Sequence, residues 1–104
     1  MADVILHPAA RAELRVAAAY YEMCRSRLGN EFLAHVEKAF VLVLSSPRVG
    51  SIIRVPYRRF IIRRFPYGII YRQTENVIYV VAIMHLKRRP EYWSPRTEST
   101  QKND

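Results

Sequence analysis

The chain has 104 residues, half of them hydrophobic, and a formal net charge of +8. This size suits one domain with a single hydrophobic core, and the charge indicates phosphate-rich or acidic partners without indicating a fold. Cys24 is the single cysteine, which excludes an internal disulfide. No apolar run approaches the roughly 20 residues that span a bilayer. We therefore expect a cytoplasmic protein in a reducing compartment, without membrane contact.

The first half of the sequence predicts a strand and two helices. The segment "DVILH" is β-branched and ends before Pro8, which suits the first turn of a helix. Apolar residues then recur at steps of three and four: Ala10, Leu14, Ala17, Tyr21 and Cys24. We expect this helix to end near "RSRLGN", where Gly29 interrupts the pattern. A second apolar stripe follows and ends at "SSP": Phe32, Val36, Ala39 or Phe40, and Val43. The short link makes the two helices an antiparallel hairpin.

The second half predicts four strands in meander order. The segments "SIIRV", "RRFIIRRF", "YGIIYRQT" and "VIYVVAIMHL" are rich in β-formers and are separated by Pro56, "FPYG" and "TEN". The order β-α-α-β-β-β-β therefore predicts an α+β domain at 1–96, a helical hairpin on one face of a twisted antiparallel sheet, with a flexible C-terminal tail at 97–104. The predicted core is Leu14, Tyr21, Phe32, Val36, Val43, Ile69, Tyr71, Val81 and Ile83.

Positive charge is concentrated in these predicted strands and in the segment after them. Residues 51–96 carry ten basic residues against two acids, whereas residues 1–50 are close to neutral. Because alternate side chains of a strand face opposite ways, neither face of "RRFIIRRF" is purely apolar, and we expect its arginines to fan out at the strand ends and over the open face. The predicted surface for binding a partner is Arg58, Arg59, Arg63, Arg64, Arg72, Lys87, Arg89 and Trp93.

The run "HLKRRPEYW" at 85–93 carries the clearest chemistry. It combines an imidazole, three cations and two aromatic rings, a set that suits nucleic-acid binding or a metal-independent ribonuclease. If the chain is a ribonuclease, the predicted catalytic residues are His85, Arg88 and Tyr92. The alternative interpretation is that Tyr92 and Trp93 pin the C-terminus onto the sheet edge. No metal-ligand spacing links His7, His35 and His85, and the three glycines form no phosphate loop, so we predict neither a metal nor a cofactor.

Several motifs together resemble the RelE/ParE superfamily of toxins from type II toxin–antitoxin systems, in particular its ParE-like plasmid-stabilisation branch. They are "HPAARAEL", "YY" at 20–21, "LG" followed by Phe32, "RRFPYGIIYR", and His85 with "RRPEYW", and the resemblance extends over residues 4–93. It implies a helical hairpin on an antiparallel sheet. It also implies a growth-inhibiting protein that a cognate acidic antitoxin holds silent in a hetero-oligomeric complex.

The resemblance implies two different targets. RelE-like members cleave messenger RNA on the ribosome, whereas ParE-like members are associated with inhibition of DNA gyrase. The RelE-type motif has an arginine after the hairpin tyrosine, where Gly68 follows Tyr67 here, and its tail tyrosine lies further from the preceding arginine than Tyr92 lies from Arg88. We therefore expect inhibition of gyrase by binding. The alternatives are a ribosome-dependent messenger RNA endoribonuclease, with His85 beside Arg63 or Arg64 in a variant site, and a non-toxic basic nucleic-acid-binding module.

Overall fold

The predicted α+β architecture is confirmed in the computed structural model, which describes residues 3–101 and the side chains of residues 3–97. The elements are β1 Asp3–Leu6, α1 Pro8–Cys24, α2 Leu28–Ser45, β2 Ser51–Arg54, β3 Tyr57–Ile62, β4 Tyr67–Thr74, β5 Val77–His85 and α3 Ser94–Gln101. None of the helices in this part of the chain is long and apolar enough to cross a membrane.

The five strands form one mixed sheet in the order β1-β5-β4-β3-β2. The four C-terminal strands pair antiparallel, as their tight links predict, but β1 pairs parallel with β5. The prediction of a wholly antiparallel sheet was wrong for β1. Parallel neighbours need a long crossover connection, and the chain between β1 and β5 provides one because it contains both helices and three strands.

Apolar side chains cover both faces of this sheet. The face under α1 and α2 holds most of the predicted core, with Leu14 and Tyr21 only partly buried. On the second face lies a smaller cluster, of which only Val81 belongs to the predicted core: Tyr57, Ile70, Val81, Ala82, Met84 and Trp93. The chain after β5 therefore supplies a second layer, and each face of the sheet has its own apolar cover.

Two predicted boundaries differ from the structure in the second half. The strand predicted as "RRFIIRRF" ends at Ile62, and Arg63 and Arg64 lie in the turn before β4, where Arg64 adopts a left-handed φ of 81°. The flexible tail predicted at 97–104 overlaps α3 as far as Gln101. Thr97 is buried and its hydroxyl donates to the carbonyl of Ser94, 2.8 Å away. Residues 102–104 lie outside the described residues, so their flexibility stays a prediction.

The joint between α1 and α2 explains Gly29, which lies in the first turn of α2 and does not end α1 as predicted. A β-carbon at Gly29 would lie 2.5 Å from the carbonyl oxygen of Ala18, so the close approach of the helices excludes a side chain there. The Glu22 carboxylate accepts hydrogen bonds from the backbone N–H groups of Arg27 and Gly29, at 3.0 and 3.1 Å. Glu22 thus supplies the acceptor that α2 lacks at its own N-cap.

We expect Gly29→Ala to lower the free energy of unfolding by about 1–3 kcal/mol, because the added methyl group must push the helices apart. In an open helix the same substitution would stabilise the chain by up to roughly 1 kcal/mol, so the sign of the change identifies the close contact. Urea unfolding followed by circular dichroism measures it. Asn30→Ala, at the next and exposed position, is the control, and a stabilised Gly29→Ala variant would contradict the proposed steric limit.

Candidate functional site

The edge of β5 changes partner where β1 ends. The last β1 pair is Leu6 with Val80, and Val81 is an extra residue between the pairs that Val80 and Ala82 make with β4. Beyond this bulge the Glu13 carboxylate accepts from the Ile83 N–H at 3.0 Å. The carbonyl of Val81 accepts from the Arg96 guanidinium at 2.9 Å. Side chains from α1 and α3 therefore satisfy backbone groups that a longer β1 would otherwise pair.

Glu13 is the centre of this arrangement. Its two carboxylate oxygens accept from the two terminal nitrogens of Arg96 at 3.0 and 2.8 Å, a bidentate pair, and Oε2 also accepts from the Tyr92 hydroxyl at 2.8 Å. The side chains of Glu13 and Arg96 are each 17% exposed. Burying most of a carboxylate costs free energy unless it has hydrogen-bond partners. The partners of Glu13 therefore fix the segment after β5 against α1.

Tyr92, one of the predicted catalytic residues, is bound into this cluster. The ring lies between two guanidinium groups, with Cζ of Arg88 3.9 Å and Cζ of Arg96 5.0 Å from its centroid. Burial, and then the hydrogen bond to Glu13, raise the pKa of the Tyr92 hydroxyl far above its ordinary value of 10.0. The phenol therefore stays protonated, and its proton is already donated to a carboxylate.

His85, the second predicted catalytic residue, lies half-buried at the end of β5. Its ring stands edge-on to the Tyr67 ring with centroids 5.1 Å apart. Nδ1 accepts from the backbone N–H of Lys87 at 3.0 Å, so the neutral ring carries its proton on Nε2. The turn at 86–87 holds the imidazole close to Arg88, which lines the same hollow.

A groove runs beside α1 at this end of the sheet, and we refer to it as the α1 groove. It consists of two adjoining hollows of about 290 and 450 Å³ that share Val16, Ala17, Tyr67 and His85 in their walls. Arg88 lines the smaller hollow and Tyr20 the larger. Val16 is 69% and Tyr20 61% exposed, so the groove presents apolar surface to solvent with an imidazole and a guanidinium on its walls.

The second face of the sheet carries a smaller cleft of about 150 Å³ that brings together Arg54, Arg59 and Arg88. A β-carbon at Gly68 would lie 3.1 Å from Cγ of Arg59, so the stem of Arg59 covers the strand where the RelE-type arginine is missing. Arg54 also approaches Glu91, with Nη1 and Oε1 3.7 Å apart. Of the predicted basic residues, only Arg59 and Arg88 meet here.

The other predicted arginines are divided among three places. Arg58 donates to the carbonyl oxygen of Gly50 at 2.8 Å and holds the loop before β2. Arg64 forms an ion pair with Glu31, with Nη2 and Oε1 2.7 Å apart, while Arg63 lies exposed in the same turn. Arg72 lies over the Tyr57 ring, its Cζ 6.0 Å from the centroid. The sequence thus predicted the charge but not its division between separate places.

Trp93, predicted as part of the binding surface, is instead a core residue that is 1% exposed. Its ring packs against Tyr57 with centroids 5.2 Å apart, and its Nε1–H donates to the carbonyl of Pro90 at 3.0 Å. This matches the alternative weighed for the sequence, in which Trp93 pins the C-terminal segment. Lys87 and Arg89 are exposed in the segment between β5 and this ring.

The sequence analysis missed Glu13, Arg96 and Arg54. Glu13 lies next to Leu14 on the inner side of α1, and an acid beside an apolar stripe was the available signal for a buried partner. Arg96 was assigned to the end of the domain without a role. Arg54 donates to the hydroxyls of Ser94 and Thr97 at 2.9 and 3.3 Å, a contact between residues far apart in the chain that no local pattern predicts.

We expect Glu13→Ala to lower the free energy of unfolding by about 2–4 kcal/mol, because it leaves a guanidinium, a hydroxyl and a backbone N–H without their acceptor. The double variant Glu13→Ala with Arg96→Met should lose less free energy of unfolding than the sum of the losses in the two single variants, since both substitutions break one network. A double-mutant cycle from denaturant unfolding measures this coupling. Glu37→Ala, on the exposed side of α2, is the control, and additive losses would contradict the network.

Alkaline pH should weaken the same cluster. In the folded chain the Tyr92 hydroxyl keeps its proton above its ordinary pKa of 10.0, while the unfolded chain loses it. The unfolded chain is therefore favoured as pH rises through that value. We expect the free energy of unfolding of the wild type to fall more steeply between about pH 9 and 11 than that of Tyr92→Phe. Equal slopes in denaturant titrations across this range would refute the assignment.

Comparison with known proteins identifies the family. A family model described as "ParE toxin of type II toxin-antitoxin system, parDE" matches residues 4–90. Among solved structures, the chain is similar to one from the chromosomal ParDE toxin–antitoxin system of P. aeruginosa, with a TM-score of 0.60, 16% identity, and coverage of 84% of this chain and 98% of that chain. It is also similar to the isolated E. coli RelE toxin, with a TM-score of 0.61, 18% identity and full coverage of both chains. The comparison with curated proteins gave no match.

At these identities the two structures establish a shared fold and nothing more, and that fold is the one predicted from the sequence. The family match carries the assignment, because it spans most of the chain and includes α1, α2 and the five strands except for Asp3. It confirms the resemblance that the sequence motifs indicated. The chain belongs to the ParE toxin family of type II toxin–antitoxin systems.

Proposed function

We propose that this toxin arrests bacterial growth from the cytoplasm by binding a target protein, that this target is DNA gyrase, and that a cognate acidic antitoxin silences it. Membership of a toxin–antitoxin family implies the antitoxin. The choice of gyrase follows the ParE-like resemblance of the sequence. The choice of binding over cleavage rests on the state of the residues that would have to carry the chemistry.

The state of Tyr92 is the observation that carries the proposal. A ribonuclease of the predicted type needs one group that takes the 2′-hydroxyl proton and another that protonates the leaving oxygen, with pKa values near the working pH. The Tyr92 hydroxyl donates to Glu13 and its pKa is raised away from neutrality. Glu13 in turn is held by Arg96. Both groups serve the packing of the C-terminal segment, so neither Tyr92 nor Glu13 is available as a second proton-transfer group beside His85.

The α1 groove supports a protein as the target. Apolar side chains on the exposed side of a helix are typical of protein interfaces, and α1 presents Val16, Tyr20 and Met23 at steps of four and three residues, with Met23 89% exposed. These residues continue the wall of the groove along α1. Arg88 at one end adds a cation that can pair with an acid on the target.

One observation favours messenger RNA cleavage as a second candidate. The cleft on the second face brings three guanidinium groups, those of Arg54, Arg59 and Arg88, around one space. Arginine binds phosphate bidentately, so this cleft could hold an RNA phosphate. Its proton-transfer group would be His85, whose Nε2 makes no hydrogen bond to the described side chains.

The test uses toxin purified away from its antitoxin. We expect it to inhibit gyrase supercoiling, and Val16→Glu to weaken inhibition by about 10-fold or more, because a charge in the centre of an apolar interface is costly. Val41→Glu is the matched control, since Val41 is a similarly exposed valine on α2. Mapping of messenger RNA ends on ribosomes after toxin expression runs in parallel. Codon-phased cleavage that disappears in His85→Ala, with supercoiling untouched, would establish the ribonuclease instead.

A further inference from the structure

A second groove lies between α2 and β3, on the helix-covered side of the sheet, and we refer to it as the α2–β3 groove. It encloses about 220 Å³. Phe60 and Ile62 from β3 and Ala39 and Leu42 from α2 form an apolar floor, in which Ile62 and Ala39 are buried while Leu42 is 41% exposed. The groove is separate from the α1 groove and shares none of its residues.

The rim of this groove is positive. Lys38 of α2 and Arg63 of the turn after β3 carry the charge, the His35 ring lies beside them, and none of the lining residues is acidic. The nearest acid on the same side of α2, Glu31, is already paired with two arginines: its Oε1 lies 2.7 Å from Nη2 of Arg64, and its Oε2 3.3 Å from Nη2 of Arg25. In the part of the chain that the structure describes, no ion pair joins Lys38 or Arg63 to a carboxylate.

The position of each rim residue is fixed by the fold. His35 donates from Nδ1 to the carbonyl oxygen of Glu31 at 2.9 Å, and its ring packs on Phe65 with centroids 5.4 Å apart. Lys38 follows three residues later and Leu42 four residues after that, so all three stand on one side of α2. The groove thus follows about two turns of the helix, roughly 10 Å, which an extended peptide covers with about three residues.

We propose that the α2–β3 groove is the docking site for an acidic, apolar segment of the antitoxin, in which an apolar side chain enters the floor and neighbouring carboxylates pair with Lys38 and Arg63. This proposal rests on the proposed function only in taking the antitoxin as the partner. Alternate side chains of an extended peptide point to opposite sides. In an acid–apolar–acid sequence the apolar side chain can therefore enter the floor while the two acids lie at the mouth of the groove, beside the rim. The groove favours such a peptide over a nucleic acid because a phosphate backbone would gain nothing from the apolar floor.

Binding kinetics of the antitoxin to immobilised toxin test the proposal. The groove variant is Lys38→Glu with Arg63→Glu, and the matched control is Arg15→Glu with Arg48→Glu, which makes the same change in net charge at exposed positions elsewhere. We expect the groove variant to increase the dissociation rate by about 10-fold or more at both low and high salt, because direct contacts govern dissociation. The control should change mainly the association rate at low salt. Equal dissociation rates in the two variants would overturn the proposal.

A third variant removes apolar contact without changing charge. Leu42→Ser should also increase the dissociation rate, by about 3-fold or more, because it removes a partly exposed side chain from the floor. An unchanged rate would contradict the docking mode. If the groove variant instead loses binding to a short DNA duplex while antitoxin kinetics stay unchanged, the groove is a nucleic-acid surface and the proposal fails.

Growth assays separate this inference from the proposed function. Expressed alone, the Leu42→Ser variant should still arrest growth, whereas co-expressed antitoxin should rescue it less well than it rescues the wild type. If the wild type does not arrest growth, the proposed function fails, but the kinetic contrast between groove and control variants still decides the docking site. Circular dichroism of each variant verifies that it is folded.

Discussion

The bidentate contact between Glu13 and Arg96 ties together parts of the chain that are far apart in sequence. It joins α1 to α3. The Glu13 carboxylate also accepts hydrogen bonds from the Ile83 N–H, beyond the bulge of β5, and from the Tyr92 hydroxyl. Trp93 sits next to this contact and closes the apolar cluster on the second face of the sheet. Without this carboxylate, the Tyr92 hydroxyl and the Arg96 guanidinium would lose the acceptor that they share, which is unfavourable in a small domain.

The segment at 85–93 contains both residues that pack against the fold and residues that stay near the surface. The sequence "HLKRRPEYW" reads as a set of reactive and cationic groups, but the fold assigns the two aromatic residues to packing and leaves His85 and the cations near the surface. The arginines divide in the same way. Arg58 holds a loop and Arg64 is paired with Glu31, while Arg63 and Lys38 stand at the rim of an apolar groove. Charge on the strands therefore has several separate uses.

Periodicity was sufficient for most of the fold. Steps of three and four residues placed both helices, and β-rich segments between turn residues placed the strands, because local propensity and the tertiary structure agree there. The parallel pairing of β1, the place of Gly29 inside α2 and the helix after Trp93 depend on contacts distant in sequence. In the site, His85 and Arg88 were found from residue type, while Glu13 and Arg96 were not, since only the folded chain brings positions 13 and 96 together.

The early end of β1 has a consequence for dynamics. Over the first part of β5 a neighbouring strand protects the edge, but at Ile83 protection comes from one side chain of α1. Amide hydrogen exchange at such a position follows local opening rather than unfolding of the whole sheet, and its rate depends on how firmly the C-terminal segment is docked. The Ile83 amide is thus a native reporter on that docking, and it lies beside the α1 groove, whose wall Ile83 also forms. A ligand that settles there would register as slower exchange at a single backbone N–H.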